Sequence, residues 1–214
     1  MQGLAGRLRA ETQTLHTQVE RSPFMAALIK GRVGQQAYCL LLRNLHPIYV
    51  GLEAGLAAHA RLPALAPLVL PGLFRAHAIA HDLHALWGGT WHAGLPLLAP
   101  AARYRDRLRD LSQHQPALLG AHAYVRYLGD LSGGQLLGGI VSRSLQLPTA
   151  HGLSFYDFGD SAQVTSLASA FRAGLDLVGA DVVVAQALVN EAKTAFALHG
   201  QLFDALDAGA SLRQ

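Results

Sequence analysis

Tyr127–Ile140 reads YLGDLSGGQLLGGI and carries five glycines, Gly129, Gly133, Gly134, Gly138 and Gly139. Apolar residues on both sides keep helical spacing, which predicts one long helix over 116–145. A glycine inside a helix is about 1 kcal/mol less favourable than alanine. Five amount to about 4–5 kcal/mol, against a total stability of roughly 5–15 kcal/mol. Something must come close to the backbone there. The spacing Gly129/Gly133 and Gly134/Gly138 also suits close contact with another helix, so a packing explanation stands beside a ligand explanation.

Helical spacing extends along the chain. Leu8, Leu15 and Val19 recur on one face, as do Tyr38, Leu41, Leu42, Leu45, Tyr49 and Leu52. Pro23, the stretches 63–72, 88–100 and 148–159, and Pro116 punctuate the pattern. Helices are expected near 3–20, 23–30, 34–60, 72–87, 98–114, 116–145, 161–179 and 181–207. Pro47 falls inside the third and is expected to kink it by removing one backbone hydrogen bond. No alternating run supports a sheet, and no repeat or linker divides the chain. The expectation is a single all-α domain over residues 1–214, with its core at about 7–207.

Composition narrows the function classes. Of 214 residues, 51% are hydrophobic and 14% charged, which is globular rather than disordered. The single cysteine, Cys39, rules out an internal disulfide and a cysteine-cluster metal site. A net charge of +3 without a basic run argues against nucleic acid and points to a local anion site or an acidic partner. The N-terminal MQGLAGRLRAETQ has no apolar signal core, and the longest uncharged run, Leu83–Ala102, holds two prolines and two histidines. A cytoplasmic protein with no membrane span is expected.

LSGGQ (131–135) spells the signature of ABC-type ATPases, but no G-x-x-x-x-G-K-[ST] accompanies it. His77, His81 and His84 share a helical face at metal-ligand spacing; a solvated helix end is the simpler account. A carboxylate-bridged di-iron bundle needs Glu-x-x-His pairs, and none of the four glutamates supplies one. More is carried by the first helix, where Arg9, Gln13, His16 and Glu20 follow at steps of 4, 3 and 4 and share one face. A carboxylate one turn from a histidine orients its ring and raises its basicity, as at metal sites; a packed core histidine is the alternative. Phe196, His199 and Phe203 in the last helix repeat the pattern, as an aromatic wall or as ordinary core.

Together these segments resemble the heme oxygenase family. LHTQVERSPFM (15–25) is similar to the segment around the axial histidine, YVRYLGDLSGGQLLGGI (124–140) to the distal helix, and EAKTAFALHGQLFDAL (191–206) to the C-terminal helix. IYVGLE (48–53) fits a fourth segment. The resemblance implies heme sandwiched between the first helix and a glycine-kinked distal helix, where a Cβ at Gly129 or Gly133 would intrude on the porphyrin face. It implies His16 as iron ligand supported by Glu20, and Asp130 as distal carboxylate with Tyr49, Arg126 and Ser132 around a water network. Arg9, Tyr124 and Arg172 would meet the heme propionates, with Phe196 and Phe203 walling the pocket. Gln13 and Ala168 stand where many members have lysines, and His199 where asparagine is common.

The implied activity is oxidative cleavage of heme by dioxygen and electrons to biliverdin, expected to be the IXα isomer, with ferrous iron and carbon monoxide. Heme is both cofactor and substrate. Without a flavin or Rossmann motif, electrons would come from a separate ferredoxin, flavodoxin-type protein or reductase. A heme carrier or sensor that never turns over is the rival reading, and a heme-free enzyme of related fold a second.

Overall fold

A computed structural model describes residues 3–148 and 151–211, with side chains described to 208. Nine α-helices follow in order among them: α1 Leu4–Glu20, α2 Pro23–Ile29, α3 Gln35–Ala58, α4 Ala76–Trp87, α5 Trp91–Gly94, α6 Ala99–His114, α7 Leu119–Ser144, α8 Ser161–Val178 and α9 Val182–Ser211. Short 3-10 turns lie at Ala66–Leu68, Pro71–Leu73, Pro116–Leu118 and Ser154–Tyr156, and no strand occurs among the described residues. The all-α expectation holds. Two helices start later than expected because a proline-led 3-10 turn precedes each, before α4 and before α7. The helix α3 runs through Pro47 without a break.

Caps explain several starts. Pro23 follows Ser22, whose hydroxyl accepts from the Met25 N–H, and Asp160 with Gln163 forms a capping box on α8. Others are tied across the fold. Asp176 of α8 accepts from Ala5 N–H at 2.9 Å in the first turn of α1, and Glu53 of α3 accepts from the N–H groups of Arg75 and Ala76 at the start of α4.

The helix α3 is the centre of the core. The stripe Tyr38, Leu41, Leu42, Leu45, Tyr49 and Leu52 is buried, and it packs on α4 and α6 on one side and α7 on the other. The α1 helix lies on α9 and α8, and α7 crosses to α9. Asp82, fully buried in α4, accepts from the N–H groups of Ser154 at 2.8 Å and Phe155 at 2.7 Å. That pins the 3-10 turn that lays Phe155 and Tyr156 against α7.

Four glycines of α7, Gly129, Gly133, Gly134 and Gly138, fall into two sets. A Cβ built on Gly138 would lie 3.1 Å from the Tyr156 Cβ, and one on Gly134 would sit 3.5 Å from its ring. These two are packing glycines. A Cβ on Gly129 meets nothing within 4 Å, and one on Gly133 only Leu137 of its own helix at 4.0 Å. Their faces are open. Alanine at 129 should therefore stabilise the ligand-free protein by up to about 1 kcal/mol through helix propensity. Alanine at 138 meets overpacking of typically about 1–3 kcal/mol and should be the less stable variant. Urea unfolding of Gly129→Ala and Gly138→Ala checks the order; equal midpoints would remove the distinction.

Candidate functional site

The open face of α7 forms one wall of a cleft of about 470 Å³, and α1 forms the other. Such a volume lies within the range of small-molecule and cofactor sites. From α1 come Arg9, Thr12, Gln13 and His16; α7 supplies Tyr124, Leu128, Gly129 and Ser132, α8 supplies Arg172 and α9 supplies Phe196. The cations Arg9 and Arg172 are both exposed. Tyr124 is braced by Thr12, with the two hydroxyls 3.3 Å apart. Behind the cleft, and sharing His16, Gly129 and Phe196 with it, an inner cavity of about 150 Å³ reaches Gly133, Asp130, Arg126, His199 and Phe203. The expected α1 face and α9 wall thus meet across one space. Ala168 is buried and offers no cation there.

His16 is half-buried, its Nδ1 3.4 Å from a Glu20 carboxylate oxygen and its ring edge-on to Phe196. The Nδ1 contact leaves Nε2 as the nitrogen available to a ligand. Glu20 is 57% exposed, so the pair is solvent-screened and adjustable.

The α7 wall is different. Arg126 donates from Nε and Nη2 to the Tyr49 hydroxyl at 2.9 and 2.8 Å, and from Nη2 to Asp130 at 3.1 Å. Tyr49 donates its own proton to the second Asp130 oxygen. The Arg126 Nη1 lies 3.0 and 3.1 Å from the two ring nitrogens of His199, whose ring stands edge-on to Phe203. All four groups are buried. Burial raises the Asp130 carboxyl above its usual range, although Arg126 and Tyr49 work against the rise. Burial and then the Arg126 charge hold His199 far below the usual histidine range, so it is a neutral acceptor. Tyr49 is pushed up by burial and stays protonated.

Ser132 stands apart from this network. Its hydroxyl donates to the Gly129 carbonyl of its own helix, 3.1 Å away, on an exposed turn. Ser132 lines both the cleft and the inner cavity, and the buried polar group beside it is Arg126, Tyr49, Asp130 and His199. Among the described residues no group of three or more His, Cys, Asp or Glu is arranged to hold a metal ion, and His77, His81 and His84 are exposed. Sequence reading overlooked Phe155 and Tyr156, which line the inner cavity. They arrive on a turn held by Asp82, a contact without local periodicity.

Removing the Arg126 charge isolates Asp130. Breaking a buried pair from one side is worth about 3–5 kcal/mol, so Arg126→Met should lose stability of that order near neutral pH. In the variant the folded-state pKa of Asp130 rises further above its unfolded value. The folded state then binds more protons than the unfolded one, and stability falls as pH rises through that window. The deficit should shrink as pH is lowered, as read by urea unfolding at several pH values; a pH-independent deficit would contradict the charge account.

The family model for heme oxygenase matches residues 2–205. Human heme oxygenase 1 is 38% identical over 207 residues, covering 96% of this chain and 72% of that protein. Heme oxygenase 1 of the cyanobacterium Nostoc is 32% identical over 95% of this chain and 86% of its own length. The crystal structure of heme oxygenase-1 from Synechocystis in complex with heme superposes with a TM-score of 0.90 at 32% identity, covering 97% of this chain and 94% of that one. A structure of heme oxygenase from Leptospira interrogans gives 0.89, also at 32% identity, covering 94% of this chain and 98% of that one. With an all-helical fold, an open glycine face and a histidine opposite it, this chain belongs to the heme oxygenase family.

Proposed function

We propose that this chain degrades heme in the cleft between α1 and α7, with His16 as the axial ligand and Asp130 as the group that manages protons on the opposite side. The observation that carries the reading is the pairing of an available His16 Nε2 with a Gly129–Gly133 face on which a Cβ would project into open space. Bound heme supplies the iron and the porphyrin edge that dioxygen and electrons convert to biliverdin, ferrous iron and carbon monoxide. Flat apolar surface from Leu128 and Phe196, and cations from Arg9 and Arg172, fit a planar apolar ring with anionic substituents.

Each residue then has a task. Glu20 holds the His16 ring through Nδ1. Arg9, Tyr124 and Arg172 hold the propionates, and Arg172 sets the rotation that leads to the IXα isomer, since Ala168 adds no charge. Phe196 and Phe203 exclude water from the inner wall. Asp130, fixed by Arg126 and Tyr49, holds and delivers protons beside the slot, and His199 steadies Arg126 from the other side. Electrons come from a separate ferredoxin, flavodoxin-type protein or reductase drawn to the exposed arginines at the cleft mouth. A cytoplasmic setting suits the lone buried thiol Cys39. Among the described residues no helix is long and apolar enough to cross a membrane.

Hemin added to the protein, followed by ascorbate or a ferredoxin system in air, tests the reading. A Soret band that decays to biliverdin is expected. No Soret band would refute heme binding, and a stable Soret without bilin would favour a carrier.

Two variants test the roles. His16→Ala should lose the native axial ligation, change the ferric and ferrous spectra, and regain them with added imidazole; an unchanged spectrum would refute His16. Asp130→Ala should bind hemin normally yet form biliverdin about 10²–10⁴-fold more slowly, the range of a lost general acid. Turnover near the wild-type rate would remove Asp130 from the mechanism.

A further inference from the structure

Three histidines of α4 take no part in the roles above, and the structure separates them. His84 lies in the last turn, its ring Cε1 3.6 Å from where a Cβ on Gly89 would stand. It belongs to the solvated end of the helix. His81 is held in place. Its Nδ1 lies 3.1 Å from the Ser154 hydroxyl and 3.6 Å from a carboxylate oxygen of Asp82. Asp82 is fully buried and is itself fixed by the N–H groups of Ser154 and Phe155. The His81 side chain is nevertheless 61% exposed. His77 is exposed four residues earlier, and α4 is continuous helix from Ala76 to Trp87.

The carboxylate beside Nδ1 favours a proton on that nitrogen, and the Nδ1–H then donates to the Ser154 hydroxyl oxygen. Nε2 keeps a free lone pair. A histidine with one nitrogen tied to a hydroxyl and a carboxylate, and the other bare, has the arrangement of a metal-ligating imidazole. Two histidines at i and i+4 of a helix share one face, the spacing by which helical zinc motifs bring two imidazoles to one ion. A histidine merely solvated on a helix surface would leave both nitrogens to water and needs no such tie.

We propose that His77 and His81 form an oriented two-histidine chelate for a divalent transition ion of the class of Zn(II), Ni(II) or Cu(II). Ser154 and Asp82 set the His81 ring, and water completes the coordination. Neutral imidazole suits these ions, whereas Mg(II) and Ca(II) take oxygen ligands. Structural zinc centres use four protein ligands, so two make this an open site from which the ion exchanges. It is separate from the heme cleft, since neither histidine lines the cleft or the inner cavity. The ion would close one turn of α4 beside Asp82, the residue that pins the Ser154–Tyr156 turn.

Two measurements on the untagged, hemin-free chain test it. Calorimetric titration with Ni(II) reads the affinity of the tightest equivalent. His77→Ala and His81→Ala should each weaken it at least about tenfold, and Ser154→Ala by about tenfold, the lower end for loss of a residue that orients a ligand. Ser154→Ala keeps the backbone N–H that Asp82 accepts from, so the turn is retained. His84→Ala should stay within about twofold of wild type. Unchanged affinity in His77→Ala or in His81→Ala overturns the site. Loss in those two with unchanged affinity in Ser154→Ala leaves an adventitious histidine pair and overturns the oriented chelate. An equal loss in His84→Ala makes the face a generic histidine patch and overturns it too. In nitrogen-15 spectra at about pH 8 without metal, His81 should be the Nδ1–H tautomer, and its Nε2 signal should move when Zn(II) is added. An Nε2–H tautomer, or an Nε2 signal that Zn(II) leaves in place, overturns the proposal.

Discussion

A guanidinium buried among helices constrains everything around it. Arg126 cannot lose its charge, and an unpaired buried charge is strongly destabilising. Its donors must therefore find acceptors inside the protein, and they find them on three elements: Tyr49 on α3, Asp130 one turn on along α7, and His199 on α9. This requirement fixes how α7 lies against α3 and α9. Burial first, and then repulsion by the Arg126 charge, keep His199 neutral. An amide or a neutral imidazole can serve there; an imidazolium cannot.

The glycines of α7 answer to two different neighbours. Gly134 and Gly138 admit Tyr156, which arrives on the turn that Asp82 holds. Gly129 faces the cleft and Gly133 the inner cavity, and both leave open space where a Cβ would stand. The helix tolerates these losses of propensity because its buried polar groups and its packing on α9 anchor it. Close packing against the Ser154–Tyr156 turn and an open face both occur, on neighbouring positions of one element.

Much of this was legible in sequence because it is local. The α3 stripe, the α1 face of Arg9, Gln13, His16 and Glu20, and the aromatic wall of α9 are written at helical spacing, and the helix supplies the geometry. For Ser132, spacing does not give the direction of the hydroxyl. It sits beside Asp130 in the chain, yet its hydroxyl turns back to the Gly129 carbonyl, as short hydroxyl side chains often do in helices. Phe155 and Tyr156 were invisible for another reason: their place depends on Asp82, whose bonds to Ser154 and Phe155 span 72 and 73 residues. His122 had a signal that was overlooked, since His122, Arg126 and Asp130 recur at steps of four on one face of α7. Three polar residues at that spacing on a helix buried at its centre must each meet a partner, and Tyr104 and Glu191 are the partners of the first.

The two walls of the cleft are held in opposite ways, and the difference suits what each must do. On α1, His16 is half-buried and its carboxylate partner is exposed, so solvent screens the pair and leaves it adjustable. A ligand that seats there completes the desolvation and gains the contact. On α7, Asp130 is buried and its two oxygens are claimed by Arg126 and Tyr49. Groups fixed in this way, in a site shielded from water, need little reorganisation when charge develops near them, and that is the condition under which electrostatic stabilisation is strongest. Had the adjustable wall faced the proton-handling side, each proton movement would have had to reorder mobile carboxylates and water. On the proposed roles, flexibility lies where substrate would enter and rigidity where Asp130 would handle a proton.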